Sequence, residues 1–169
     1  LIDMLYAAKS KYPEMKIFVL TMCYTKFKAK NEPFSDYAYA LDMFAHRTGS
    51  LIFICTANNN DAVGENTDYN LAYFNSVHTN LCTPAESLNN VTVGAAAESL
   101  NDGPFYGISP GREFPTLYSR KGHINLSTSF PSNKSNKHYF KPDVIDCGGD
   151  ISFYNSTTID YLDNAAMTV

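Results

Sequence analysis

Three consecutive asparagines, Asn58, Asn59 and Asn60, follow the apolar run Leu51–Ala57. An amide fixed at a strand end can do one of two things. It can close a turn, because Asn tolerates left-handed backbone and bonds its own main chain. It can also hold a neutral N–H donor where negative charge develops, without disturbing a nearby base. Other reactive side chains are sparser. Cys23, Cys55, Cys82 and Cys147 are widely spaced and form no C-x-x-C pair, which argues against a zinc site and a dense disulfide framework. His78 and Cys82 are spaced to share a helix face, but two ligands do not complete a metal site, and no metal is expected. Cys55 and Cys82 read as small buried residues. Cys147, before Gly148 and Gly149, has no identifiable base beside it and reads as structural.

The elements that must carry these residues follow from periodicity. "LIDMLYAAKSKY" places Leu1, Ile2, Leu5 and Ala8 on one helix side, and Pro13 ends it. "KIFVLTM" (Lys16–Met22) has strand length. Ser35 is placed to cap a second helix through Tyr37, Leu41, Phe44 and Ala45. His46 and Arg47 suit its C-terminal dipole, and Gly49 stops it. "LIFICTA" is a second strand, "NVTVGAA" (Asn90–Ala96) a third and "PDVIDC" (Pro142–Cys147) a shorter fourth. Gly94 in the third strand predicts a close backbone approach. Residues 101–139, rich in Gly, Pro, Ser and Asn, read as long loops with at most one strand pair. Apolar runs separated by an amphipathic helix predict an α/β fold. It would be a mostly parallel sheet in three layers with helices on both faces, in one partial domain over 1–169.

The bulk numbers exclude several functions. A formal net charge of −4 and no basic stripe argue against a nucleic-acid partner; "TKFKAK" is a short solvated patch. No segment has the length and apolarity of a membrane span. No G-x-G-x-x-G or G-x-x-x-x-G-K follows a strand, and there is no G-x-S-x-G elbow, so no nucleotide cofactor and no α/β-hydrolase is expected. N-x-S/T triplets at Asn90, Asn125, Asn133 and Asn155 are expected by chance in a chain this rich in Asn and Ser.

Five segments resemble the subtilisin-like serine proteases, in that family's order. "VLTMC" resembles the strand ending in Ser-Leu-Gly that lines the substrate cleft. "LIFICTANNND" resembles the strand ending in Ala-Ala-Gly-Asn. "TPAESLNNVTVGAA" is similar to the Pro-Ala-x-x-x-Asn-Val-x-x-Val-Gly-Ala segment. "TLYSRKGH" resembles the Phe-Ser-Ser-x-Gly turn, and "KPDVIDCGGDI" the Lys-Pro-Asp-Val-x-Ala-Pro-Gly-Gly segment. The resemblance implies that Asn59 is an oxyanion-hole donor, with Asn58 on the family glycine; a slip of one residue would move the role to Asn58. It implies that Thr21, Met22, Cys23 and Asn58 bind substrate, the strand backbone pairing with a peptide or protein substrate. Cys23 stands for a glycine and Cys147 for a proline. The family's Asp-x-Gly segment would lie upstream of Leu1 and its Gly-Thr-Ser segment beyond Val169; no His here is followed by Gly-Thr, and no Ser sits in Gly-Thr-Ser. The chain therefore reads as a central piece of a longer peptidase, inactive alone. Its partners would be the rest of that domain or, through exposed apolar surface, itself. Two other functions fit the same sequence: a non-catalytic subtilase-like module that binds peptides or partners, and a Rossmann-like small-molecule binding domain.

Overall fold

A computed structural model describes residues 1–29, 32, 34–59, 66–97, 105–122, 141–154 and 158–162. Four strands form a parallel sheet: β1 (Ile17–Leu20), β2 (Leu51–Cys55), β3 (Val91–Ala96) and β5 (Val144–Cys147), side by side in that order. All three pairings are parallel, with Ile17 opposite Leu51, Phe53 opposite Val91 and Val93 opposite Val144. The α/β fold predicted from the apolar runs is what the chain adopts. Two long helices accompany the sheet, α1 (Ile2–Lys11) and α2 (Asp36–Thr48).

The boundaries of α2 follow from its ends. The Ser35 side chain accepts from the Ala38 amide at 3.1 Å, satisfying one orphan N–H. Gly49 ends the helix in left-handed backbone, φ 59°, where a side chain would be strained. Between these caps Leu41 and Phe44 are fully buried. They pack with Phe18, Leu20, Ile52, Ile54, Leu81 and Ala85 into the main core, and Ile2, Leu5 and Ala8 of α1 close over it. Burying each large apolar side chain is worth about 1.5–3 kcal/mol.

The expected third layer is not found among the described residues. Both long helices lie on the face of Phe18, Leu20, Ile52 and Ile54. Ile17 and Val19, on the opposite face, are 60% and 73% exposed. Strand side chains alternate between faces, so the odd positions of β1 have no described element to bury against. β1 is also shorter than its apolar run, because residues 21–23 continue past its last paired position, Leu20.

A second sheet is antiparallel: β4 (Phe105–Gly107), β6 (Asp150–Tyr154) and β7 (Thr158–Leu162), in that order. Among the described residues the loop-rich region contributes one strand, β4, which pairs with β6. A short helix, α3 (Tyr69–Ala72), anchors a separate cluster of Tyr69, Tyr73 and Leu117. No described helix is long and apolar enough to cross a membrane.

Buried polar groups hold the start of β3 to α2. The Asp42 carboxylate accepts from the amides of Leu88 and Asn89 at 2.9 and 2.8 Å, and from Ser87 Oγ at 2.5 Å. Asn90 Nδ2 donates to Asp42 at 3.2 Å, while its Oδ1 accepts from the Ile52 amide at 3.1 Å. Asn90 is thus a buried connector between α2 and β2, and not an exposed glycosylation acceptor. The triplets at Asn125, Asn133 and Asn155 lie outside the described residues. Gly94 meets its expectation: a Cβ there would sit 2.7 Å from Pro142 Cγ.

Candidate functional site

The carboxyl ends of β1 and β2 open into a cleft of about 770 Å³. Parallel strands all point their carboxyl ends one way, so residues just past them share one rim. From β1 the lining includes Thr21, Met22, Cys23, Tyr24, Thr25 and Phe27. From β2 it includes Cys55, Ala57, Asn58 and Asn59, and His78 and Arg120 complete it. All five residues marked from the sequence, Thr21, Met22, Cys23, Asn58 and Asn59, therefore meet in one cavity. Asn60 lies outside the described residues.

Each wall is held by backbone bonds. The Tyr24 amide donates to Thr83 O at 2.7 Å and the Lys28 amide to Leu81 O at 2.8 Å, fixing the segment after β1. After β2, the Thr56 amide donates to Val93 O at 3.1 Å and the Asn59 amide to Tyr118 O at 2.7 Å. Asn58 bridges to Ser119, whose Oγ accepts from the Ala95 amide at 2.9 Å. The stretch from Tyr118 to Arg120 is thus a clamp on the asparagine loop. Ala57 takes φ 66°, the left-handed region that glycine enters without steric cost.

Arg120 was not singled out by its sequence, and it organises the site. It is buried, and its Nε donates to Asn58 O at 3.0 Å. Its Nη1 donates to His78 O at 2.6 Å and to Asn80 O at 3.0 Å. Among the described lining residues none is a carboxylate, and Arg120 is a buried cation. Three carbonyl acceptors from distant segments cannot be foreseen from local spacing. His78 also lines the cleft, with its ring 5.2 Å from that of Phe27. Cys82 is buried, as expected. The stretch around His78 and Cys82 is turns and isolated bridges, not the shared helix face their spacing suggested. No group of three metal-ligating residues occurs among the described residues.

Cys55 departs from its reading as a buried small residue. It is half-buried and lines the cleft beside Cys23, with the two Sγ atoms 3.7 Å apart. The Cys55 thiol is pushed down to about 6, chiefly by the hydrogen bond from Cys23 and helped by the Ala57 backbone; burial works the other way. The Cys23 thiol is pushed up, first by that same hydrogen bond and then by burial. Of the two thiols, Cys55 is the more acidic. Cys147 is exposed.

The Asn58 side chain is exposed and that of Asn59 half-buried. Both amides face the cleft without a side-chain hydrogen bond among the described residues. The site thus offers neutral donors, one buried cation and an open wall past β1. That arrangement can bind an extended chain and stabilise an oxygen gaining negative charge.

No protein-family model matches the chain, and no curated protein sequence matches it. A solved structure named S41 Psychrophilic Protease is similar to it over 72% of this chain, at 15% sequence identity and a TM-score of 0.39. The chain spans about 30% of that protein's length.

Proposed function

We propose that this chain is the central part of a subtilisin-like serine endopeptidase domain, supplying an oxyanion-stabilising amide and one wall of the peptide cleft. The observation that carries this reading is convergence. Residues marked on two separate segments for substrate binding and for the oxyanion line one cavity. A peptide would lie along Thr21, Met22 and Cys23, past the last paired position of β1, and bond to their main chain. Asn59 would donate to the carbonyl oxygen as it becomes tetrahedral. The left-handed backbone at Ala57 is what a glycine position calls for, and it favours Asn58 as the alternative donor.

The attacking Ser and its His–Asp pair would come from other segments of the domain, since no His-Gly-Thr and no Gly-Thr-Ser occurs in this sequence. Those segments would also cover the open sheet face around Ile17 and Val19. The test has two arms. The chain alone is incubated with casein and read by mass spectrometry, and no cleavage is expected. Cleavage that co-purifies with the chain overturns the reading. Separately, the whole gene product is exposed to a fluorophosphonate, which labels activated serines. Labelling is expected; peptide binding at residues 21–23 without labelling would point to a non-catalytic peptide-binding module instead.

A further inference from the structure

The cleft holds a chemical group that neither an oxyanion hole nor a peptide wall requires. Cys23 follows β1, Cys55 ends β2, and the two strands are neighbours in the sheet. Their sulfurs are 3.7 Å apart, and Cys23 Sγ also donates to Cys55 O at 3.2 Å. Both are free thiols, and both line the 770 Å³ cleft, so a small oxidant reaches them without local unfolding. Of the other cysteines, Cys82 is buried and Cys147 is exposed.

We propose that Cys23 and Cys55 form a redox-active dithiol, whose oxidation by a peroxide to a disulfide ties the end of β1 to the end of β2 inside the cleft.

The chemistry balances with hydrogen peroxide as the oxidant. The Cys55 thiolate attacks one peroxide oxygen, the O–O bond breaks, and hydroxide leaves, giving a sulfenic acid at Cys55. The Cys23 thiol then attacks that sulfur. The S–O bond breaks, the S–S bond forms, and the Cys23 proton leaves with the oxygen as water. Two sulfurs together lose two electrons, and the peroxide leaves as one hydroxide, which takes a proton from solvent, and one water. The roles follow from the contacts: Cys23 Sγ donates its proton to Cys55 O, so the more acidic Cys55 attacks and Cys23 resolves.

Acidity alone would not distinguish this pair. A thiol near 6 has roughly thirtyfold more thiolate at neutral pH than an unperturbed one. Its lower basicity gives back roughly tenfold in nucleophilicity, by the trend measured for thiol–disulfide exchange. What an isolated thiol lacks is the second sulfur already in place, which makes the closing step intramolecular.

The consequence is local. The reduced pair puts a partial negative charge near the Asn58–Asn59 loop, whereas the disulfide is neutral and holds two cleft segments together. Nothing in this depends on the chain being part of a peptidase.

The test uses the full chain, reduced and freed of reductant, with hydrogen peroxide near neutral pH. The products are blocked with a maleimide and mapped by mass spectrometry. A Cys23–Cys55 linked peptide is expected as the main product, with Cys82 and Cys147 still alkylated and the link reversed by dithiothreitol. In Cys23→Ser, Cys55 should stop at a sulfenic acid trapped by dimedone. In Cys55→Ser, Cys23 should stay alkylatable. Circular dichroism checks that each variant is folded. A link from Cys55 to Cys82, oxidation of Cys147 ahead of the pair, or sulfinic acid at Cys55 in the unmutated chain would each overturn the proposal.

Discussion

Arg120 and Asn58 are joined by a hydrogen bond from the guanidinium Nε to the Asn58 carbonyl, 3.0 Å long and spanning 62 residues of chain. The same side chain holds the carbonyls of His78 and Asn80, so one cation ties three loops into the cleft wall. Its partners are neutral, and the ion pairs found among the described residues are Lys28–Glu86 and Lys141–Asp143. Arg120→Ala would leave these carbonyls without their donor. A loss of about 2–4 kcal/mol is expected in urea unfolding. Arg120→Lys should recover little of it, because a single ammonium cannot reproduce the planar fork. Near-wild-type stability of Arg120→Ala would mean that water replaces the guanidinium and the loop positions itself.

The proposed amide donor can be tested in the whole gene product by its turnover of a peptide substrate. Asn59→Ala should lower kcat far more than it raises KM, as expected for a contact made mainly in the transition state. The known loss on removing this donor in subtilisin, about 10²–10³-fold, sets the size expected, and only the residue is our inference. Asn58→Ala should have a small effect. A large loss at Asn58 with Asn59 silent would place the donor directly after the left-handed Ala57.

Lys121 gives the fold a pH dependence of definite sign. It is buried, with Nζ donating to Ser76 O and Asn80 Oδ1, and burial pushes its ammonium down to about 8 from an ordinary 10.5. Between those values the unfolded chain binds more protons than the folded one, so stability rises with pH through that window. Below about 8 the cost of burying the charge is present in full, roughly 3 kcal/mol as an upper figure. Lys121→Met should remove this term. The difference in unfolding free energy between mutant and wild type should shrink or reverse from neutral pH to about 10.5. A difference that does not change across that range would show the lysine to be hydrated in the folded state.

The two faces of the sheet should answer differently to truncation. Ile54 is fully buried, and Ile54→Ala should cost about 2–5 kcal/mol. Val19 is 73% exposed, and Val19→Ala should change stability by less than about 0.5 kcal/mol. Ile17 and Val19 are exposed apolar side chains on one face, the kind of surface through which self-association would occur. Val19→Lys should therefore lower any dimer fraction seen in sedimentation. Equal losses at Ile54 and Val19 would mean that both faces are covered in solution.

Much of this arrangement was legible in local pattern. Ser35 and Gly49 mark both ends of α2, because capping is short-range chemistry. The strand runs and their parallel pairing followed from apolar segments spaced by a helix, and the crowding at Gly94 from a glycine inside a strand. What was not legible depends on side chains meeting from far along the chain. Nothing near Arg120 announces three carbonyl acceptors, and nothing near Cys55 announces a thiol from a segment 32 residues earlier. The open sheet face was missed because a continuous apolar run reports what a strand can bury and not what is present to cover it. β6 and β7 did leave a signal, in the alternation of Ile151, Phe153, Ile159 and Tyr161 with polar neighbours, which reads as a hairpin.

The parallel sheet has one more property: its strands lie in space in the order in which they occur along the chain, β1, β2, β3, β5. A ribosome makes β1 first, and each later strand of this sheet then emerges to find its edge already built. No strand must wait for one made later before it can be inserted between two others. Among these four described strands, synthesis can thus extend the sheet one edge at a time. The carboxyl-end rim would be assembled in the same sequence, with the β1 wall waiting for the asparagine loop and the clamp that carries Arg120 arriving after both.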